Sequence, residues 1–184
     1  IHFVESLLPG YFWIFPLENG YANVGVGMLT SDIRAKKANL KQAMFDAIEK
    51  IPLFQKRFEG AEMVGDVKGW NLPFGSTHRK NHGNGFLLVG DAASLIDPFS
   101  GEGIGNAMTS GGYAVKAIQA AFEKNDFSEK TLQPYDTELW NRVRGELKNS
   151  YRLQKLGKHR FLLNWMIRKA ARSQEFREVL SAML

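Results

Sequence analysis

The chain has 184 residues, and 44% of them are hydrophobic, which is enough for one sizeable core. It contains no cysteine, which excludes a disulfide scaffold and a thiolate metal site. The net charge of +5 is uneven, because residues 140–184 carry 11 Lys and Arg against 3 Asp and Glu.

The N-terminal region predicts a β-hairpin. Residues 11–15 alternate as a strand requires, and one face of that strand would carry Tyr11, Trp13 and Phe15. The turn at 16–20 contains an Asn-Gly pair, which favours the positive φ angles of a tight hairpin. The returning strand over 21–29 places Gly25 and Gly27 on one face, where the missing side chains leave room for a neighbouring side chain or a ligand.

The following segments predict a helix and a further strand. A helix is expected from Asp32, as its N-cap, to about Lys50, and Pro52 ends it. The stretch over 61–74 predicts a strand that is interrupted by glycine and closed by Pro73.

A polar loop over 75–85 precedes the apolar run FLLVGD at 86–91. That run lacks alternation, so it predicts a strand that is buried on both faces. A helix is predicted over about 103–122, and its packed stripe would be Ile104, Ala107, Met108, Val115, Ile118 and Phe122. Gly111 and Gly112 lie inside this helix, where we expect another backbone to come close.

The C-terminal region predicts helices. Pro134 suits the first turn of a long helix whose stripe would be Leu139, Val143, Leu147 and Tyr151. The sequence FLLNWMIRKAAR at 161–172 combines apolar residues Phe161, Leu162, Trp165 and Met166 with basic residues Arg160, Arg168, Lys169 and Arg172. Such a helix either lies on an anionic membrane surface or packs its apolar stripe beneath a solvated basic face.

Features that the sequence lacks limit the partners and the location that we expect. No nucleic-acid motif accompanies the basic charge, so nucleic acid is not an expected partner. The histidines, including His78 and His82, show no metal-ligand spacing, and no metal site is predicted. No apolar run approaches the ~20 residues of a membrane span and no signal peptide is visible, so we expect a cytoplasmic location, with or without membrane contact.

The stretch GDAASLIDPFSGEGIGNAMTSGG, residues 90–112, carries the chemistry. A strand that ends in Gly-Asp and leads into a helix N-terminus is a place where ligands bind in α/β sheets. Free amides and the dipole of the helix entrance attract a phosphate or a carbonyl oxygen, and Gly101 and Gly103 let a planar ligand approach the main chain. Asp91 can accept hydrogen bonds from sugar-like hydroxyls. The spacing does not fit G-x-G-x-x-G or a P-loop.

These residues closely resemble the second FAD-binding motif of the flavoprotein hydroxylase superfamily, G-D-A-A-h-x-x-x-P-x-x-G-x-G. Within it, the stretch is most similar to the geranylgeranyl reductase family, whose version contains G-D-A-A-G and P-x-x-G-E-G-I. That family also carries P-x-x-Y-x-W-x-F-P. Residues 9–16 reproduce Y-x-W-x-F-P in full, with the leading Pro9 one residue closer.

The resemblance implies an FAD-dependent oxidoreductase and a role for each matching residue. Asp91 would hold the ribityl or pyrophosphate part of FAD, and the loop from Pro98 to Ile104 would place amides at the pyrimidine edge of the flavin. The implied cofactor-binding residues are Gly90, Asp91, Pro98, Gly101, Glu102, Gly103 and Ile104. Glu102 would either cap the helix or face the substrate. Tyr11, Trp13 and Phe15 would form either a wall for an isoprenoid or other lipid substrate, or sheet core.

The implied chemistry is hydride transfer from reduced flavin to a C=C bond, with NAD(P)H or a ferredoxin-like protein as electron donor. The alternatives are a flavin-dependent monooxygenase or halogenase, and a non-catalytic lipid-binding or peripheral-membrane module. No catalytic acid, base or nucleophile emerges, and the sequence does not indicate the oligomeric state.

The implied fold is α+β, with an antiparallel substrate-domain sheet and a helix, then a buried strand and loop of an FAD domain, then C-terminal helices. The expected division is 1–75 for the substrate domain, 76–125 for the FAD domain and 126–184 for a helical region. The superfamily's first G-x-G-x-x-G segment is missing, so we expect a C-terminal fragment that binds FAD weakly or not at all by itself.

Overall fold

The computed structural model describes residues 1–157, 160–175 and 178. Helices and two small antiparallel sheets make up these residues, which confirms the predicted α+β class. The chain divides into two compact units, residues 1–69 and the residues from 70 onward, and each is described by itself. The predicted three-part domain division stays a prediction.

The first unit begins with the predicted hairpin. Strands β1 (Tyr11–Pro16) and β2 (Ala22–Gly27) pair antiparallel. In the turn, Asn19 and Gly20 adopt φ angles of 58° and 77°, the left-handed conformations that favour an Asn-Gly pair. The hairpin prediction is therefore confirmed.

The core of the first unit lies against one face of this hairpin. The ring of Phe12 is fully buried, and its centroid lies 4.6 Å from that of Phe54. The other buried members of this core are Val4, Leu7, Met44 and Ala47. Because side chains alternate along a strand, Tyr11, Trp13 and Phe15 lie on the opposite face, away from this core.

Three short helices follow where one was predicted over 32–50. They are α1 (Thr30–Lys36), α2 (Leu40–Lys50) and α3 (Pro52–Arg57). Lys37 ends α1 in the left-handed conformation, with φ of 50°, so the prediction of one continuous helix is wrong. The predicted cap is also wrong, because Asp32 lies in the first turn of α1.

The boundaries of α2 and α3 have clear local causes. The side chain of Asn39 accepts a hydrogen bond from the Gln42 N–H at 3.1 Å, which makes Asn39 the N-cap of α2. Pro52 occupies the first turn of α3, because its fixed φ and missing N–H suit a helix start. Pro52 therefore follows the end of α2 and is also the first residue of α3.

The strand predicted over 61–74 is wrong. Within the described residues, Phe74 alone of this stretch forms a β-bridge, with Ile96. Gly65 has a φ of 73°, in the left-handed region that a strand does not use. The apolar residues of this stretch are therefore not evidence of a paired strand.

The second unit contains a hairpin of two very short strands, β3 (His82–Gly83) and β4 (Phe86–Leu87). Sequence predicted that the run over 86–91 forms a strand buried on both faces. This is wrong, because Phe86 is half exposed and β4 pairs with β3 alone among the described strands. A strand with a single hydrogen-bonded neighbour lies at an edge, where one side of its backbone is open.

Helix α4 (Ile104–Lys124) is confirmed, but its packed face differs from the predicted one. Ile104 and Met108 are 76% and 75% exposed, and Val115, Ile118 and Phe122 are also exposed. The residues that α4 buries are small, namely Ser110, Ala114 and Ala121. No described atom outside the helix backbone lies within 4 Å of a Cβ built at Gly111 or Gly112, so the expected close backbone is not seen there.

Two long helices complete the described chain, α5 (Glu129–Gly157) and α6 (Arg160–Arg172). Of the predicted α5 stripe, Leu139, Val143 and Leu147 are buried with Tyr135, whereas Tyr151 is half-buried. Pro134 lies inside α5, more than a turn beyond Glu129, instead of in the first turn.

The described helices do not include one with the length and apolar character of a membrane span. The side chains of Leu162 and Met166, predicted for the apolar face of the last helix, lie outside the described residues.

The Asn39 cap gives a stability prediction. Replacing Asn39 with Ala removes the acceptor for the Gln42 N–H, so Asn39→Ala should lower the free energy of unfolding by about 1 kcal/mol. Urea titration monitored by circular dichroism measures this change. Lys41→Ala, on the exposed first turn, is the control and should change stability by less than about 0.5 kcal/mol. Equal stability of the two variants would contradict the capping assignment.

Candidate cofactor site

The site begins at Gly90, which opens a short 3-10 helix over Gly90–Ala93. The Gly90 N–H donates to the Ser110 hydroxyl at 3.0 Å, and that hydroxyl donates to the carbonyl of Ala107 at 2.9 Å. Gly90 has a φ of 56°, and a Cβ built there would lie 3.1 Å from the Cβ of Ala107. Glycine is therefore required here by both conformation and space.

Leu88, two residues earlier, makes hydrogen bonds through both its carbonyl and its N–H group. The Tyr135 hydroxyl donates to the Leu88 carbonyl at 2.5 Å, and the Leu88 N–H donates to the carbonyl of Asn81 at 2.8 Å. Burial and the nearby charge of Asp136 raise the pKa of Tyr135 to about 12, so its hydroxyl remains a donor at neutral pH. The backbone that leads into Gly90 is therefore fixed by hydrogen bonds from α5 and the preceding loop.

Asp97 organises the loop that enters α4. Its carboxylate oxygen Oδ1 accepts from the N–H groups of Phe99 and Ser100 at 2.9 and 2.8 Å, and from the Ser100 hydroxyl at 2.9 Å. The Asp97 N–H donates to the Glu102 carbonyl at 2.7 Å, and the Gly101 N–H donates to the Asp97 carbonyl at 3.0 Å. Gly101 has a φ of 77°, so this closed turn depends on glycine.

The same loop is attached to helices α4 and α5. Pro98 is buried, and its carbonyl accepts from the side-chain amide of Gln154 in α5. The side-chain amide of Asn106, in α4, donates to the carbonyl of Leu95 at 2.8 Å. The loop is therefore hydrogen-bonded to both α4 and α5.

Glu102 caps α4. Its carboxylate oxygen Oε1 accepts from the Gly105 N–H at 2.8 Å, although the side chain is exposed. Of the two alternatives for Glu102, the structure supports the cap.

Asp91 lies beside the amides that the loop leaves unpaired. A Cβ built at Gly103 would lie 3.3 Å from Asp91 Oδ1 and 3.2 Å from Ile96 Cγ1. The N–H groups of Gly103 and Ile104 donate to no oxygen within the described residues, whereas those of Gly101 and Gly105 are used. The exposed Asp91 carboxylate and two bare amides at the start of a 21-residue helix thus form a cradle with an acceptor beside two donors.

The predicted cofactor residues therefore fall into two groups with different structural roles. Gly90, Pro98, Gly101 and Glu102 shape or fasten the loop, whereas Asp91 has an exposed carboxylate and Gly103 and Ile104 have unpaired N–H groups. Ser110, Tyr135 and Asp97 were missed by the sequence analysis. Asp97 had a usable signal, because Asp-Pro followed by Ser-Gly is typical of a side-chain-closed turn.

The predicted substrate residues lie in the first unit as an aromatic ladder. Neighbouring ring centroids are 6.1 Å apart for Tyr11 and Trp13 and 6.2 Å for Trp13 and Phe15. The indole N–H of Trp13 donates to Asn23 Oδ1 at 2.8 Å, and a Cβ built at Gly25 would lie 2.2 Å from its ring. The space that Gly25 leaves is therefore filled by Trp13, and burial raises the pKa of Tyr11.

In the second unit, two histidines converge on Asp136 of α5. His78 Nε2 and His82 Nδ1 lie 3.1 and 3.6 Å from Asp136 Oδ2, and the His78 ring stacks on Trp140 at 4.7 Å between centroids. Among the described residues, no group of three His, Cys, Asp or Glu side chains has an arrangement that could hold a metal ion. These contacts attach the loop before β4 to α5.

Residues 2–66, which lie within the first compact unit, match the geranylgeranyl reductase catalytic domain. The chain is 36% identical over 141 residues to digeranylgeranylglycerophospholipid reductase 1 of Methanococcoides burtonii, and this match covers 77% of the chain and 32% of the relative. It is also 36% identical over 156 residues to the digeranylgeranylglycerophospholipid reductase of Thermoplasma acidophilum, covering 84% of the chain and 38% of the relative.

A solved structure supports the same relationship. The chain superposes with a TM-score of 0.64 on a geranylgeranyl bacteriochlorophyll reductase-like protein from Thermoplasma acidophilum, at 31% identity, over 82% of this chain and 36% of that one. The resemblance to the geranylgeranyl reductase family is thus confirmed. The chain spans about a third of the length of the curated relatives it matches.

The buried hydrogen bond between Gly90 and Ser110 gives a prediction. Ser110→Ala leaves the Gly90 N–H without an acceptor in a dry environment, so the free energy of unfolding should fall by about 1–3 kcal/mol. Urea denaturation measures this loss. Thr109→Ala, one residue earlier in α4, is the matched control and should change it by less than about 0.5 kcal/mol. A Ser110→Ala protein as stable as the control would show that the bond does not hold the turn.

Proposed function

We propose that this chain carries the substrate-facing and flavin-facing parts of an FAD-dependent reductase that saturates C=C bonds in an isoprenoid lipid. The observation that carries the proposal is the Asp91 carboxylate beside the unpaired amides of Gly103 and Ile104. The names of the relatives, which are reductases of digeranylgeranylglycerophospholipid, support the substrate class.

The residues of the cradle fit FAD in their chemistry. Asp91 is placed to accept hydrogen bonds from ribityl hydroxyls, because it is exposed. A side chain at Gly103 would press on Asp91 and Ile96, so glycine at this position lets the Asp91 carboxylate lie close to the backbone of the helix entrance. The fixed loop means that these groups need little reorganisation when a ligand binds.

The cofactor and the chain contribute different parts of the reaction. Bound FAD, once reduced by NAD(P)H or a ferredoxin-like protein, would supply a hydride to one carbon of the C=C bond, and a proton, for which no donor in this chain is assigned, would add to the other carbon. The amides of Gly103 and Ile104 would donate to an oxygen of the bound flavin that gains negative charge, and the positive end of the α4 dipole would add to their effect. We assign no acid, base or nucleophile to this chain.

The aromatic ladder is proposed as the apolar surface for the substrate. Tyr11, Trp13 and Phe15 do not belong to the core of the first unit, which packs on the other face of β1. A row of rings on a strand offers a long apolar contact for a branched hydrocarbon chain, and the bond from Trp13 to Asn23 fixes the central ring. The alternatives, a monooxygenase or halogenase and a non-catalytic lipid-binding module, are outcomes of the experiment below.

A chimera tests this function. In it, the chain replaces the matched segment of the Thermoplasma acidophilum reductase, and the purified protein is assayed without oxygen on unsaturated digeranylgeranylglycerophospholipid. The chimera should retain flavin and form saturated product. Asp91→Ala should weaken FAD binding by about tenfold or more, because it removes a charged hydrogen-bond acceptor. Flavin content after desalting and product formation are the measurements.

The control is Asp66→Ala, which removes an exposed carboxylate from the first unit and should leave flavin content unchanged. Product that forms only in the presence of oxygen would support a monooxygenase and contradict the reductase. A folded chimera that binds the lipid without flavin would support the lipid-binding module. Normal flavin content in Asp91→Ala would overturn the assignment of Asp91.

A further inference from the structure

Helix α6 displays two aromatic side chains on its exposed surface. Phe161 is 84% exposed and Trp165 is 47% exposed. Residues four apart in a helix lie on the same face, so the two rings are neighbours. Large rings exposed together on one helix face indicate a surface that binds a partner.

Basic side chains continue this face toward the C-terminal end of α6. Arg168, Lys169 and Arg172 are exposed, and the Lys169 ammonium lies 5.0 Å from the centroid of the Trp165 ring. At 100° per residue, Phe161, Trp165, Arg168 and Arg172 fall within an arc of about 60°. The aromatic and cationic groups therefore form one surface, here named the α6 face and defined by Phe161, Trp165, Arg168, Lys169 and Arg172.

The surrounding sequence has a uniform sign of charge. Residues 147–174 contain eight Lys and Arg and no Asp or Glu. At the end of α5, Arg152 and Lys155 are exposed, and the Lys155 ammonium lies 4.5 Å from the centroid of the Tyr151 ring. A partner for this region must therefore carry negative charge over an extended surface.

We infer that the α6 face binds the surface of an anionic lipid bilayer. The indole of Trp165, which has a polar edge, suits the level of the lipid headgroups, the apolar ring of Phe161 suits the acyl boundary beneath them, and clustered Lys and Arg are attracted to anionic headgroups. The 13 residues of α6 are too few to span the hydrocarbon core, so the helix would lie on the membrane. This inference goes beyond the proposed reaction and does not depend on flavin or on an isoprenoid substrate.

Vesicle co-sedimentation with the full chain tests the inference. The vesicles contain equal amounts of phosphatidylglycerol and phosphatidylcholine, or phosphatidylcholine alone, at about 50 mM or about 500 mM salt. We expect binding to the anionic vesicles at low salt, with a large loss at high salt and on neutral vesicles. The triple variant R168E/K169E/R172E should bind the anionic vesicles at least about tenfold more weakly.

Two further variants distinguish binding through the α6 face from attraction caused by the net positive charge of the chain. K41E/K56E/K130E reverses three exposed lysines outside α6 and changes the net charge by the same amount, so it should retain most of the binding. F161S/W165S leaves the charge unchanged and should weaken binding several-fold through the lost apolar contact. Far-UV circular dichroism confirms that each variant keeps its helices.

Three outcomes would overturn the inference. The first is failure of the wild-type chain to sediment with anionic vesicles at low salt. The second is equal loss of binding in the two triple variants, which would show general charge attraction only. The third is tighter binding to a DNA duplex or to a second copy of the chain through the same residues, measured by fluorescence anisotropy and analytical ultracentrifugation.

Discussion

The candidate site depends on the buried hydrogen bond from the Gly90 N–H to the Ser110 hydroxyl. This bond joins the turn after β4 to the middle of α4, two segments that are 20 residues apart in sequence. Because Gly90 also lies against Ala107, the turn approaches the helix as closely as a backbone can. Asp91 is brought beside Gly103 as a result, and the acceptor and donors of the cradle meet.

Hydrogen bonds within the loop between these two points determine which of its backbone N–H groups stay unpaired. Asp97 and Glu102 use the N–H groups of four residues, Phe99, Ser100, Gly101 and Gly105. Once these bonds are made, the N–H groups of Gly103 and Ile104, like that of Asn106 in the first turn of α4, have no acceptor among the described residues. The glycines differ in purpose, since Gly101 is needed for its positive φ and Gly103 for space beside Asp91 and Ile96.

The sequence predicted well where a local rule decides the structure. The Asn-Gly turn and the alternation in β1 are such rules. Prediction failed where conformation depends on neighbours. Lys37 in the left-handed region divides a helix that its sequence pattern would continue, and α4 packs through Ser110, Ala114 and Ala121 in place of its larger apolar stripe.

The supporting residues of the site were harder to find because their partners are distant in sequence. Tyr135 reaches Leu88 across 47 residues, and Ser110 resembles any serine inside a helix.

The central claim is that this chain exposes the Gly103 and Ile104 amides to a flavin. NMR titration of the isotopically labelled chain with FAD tests it most directly, even if binding is weak. The account predicts that the amide signals of Gly103 and Ile104 shift while those of Gly101 and Gly105 change little. Shifts confined to Gly101, Gly105 or residues outside the loop would contradict it.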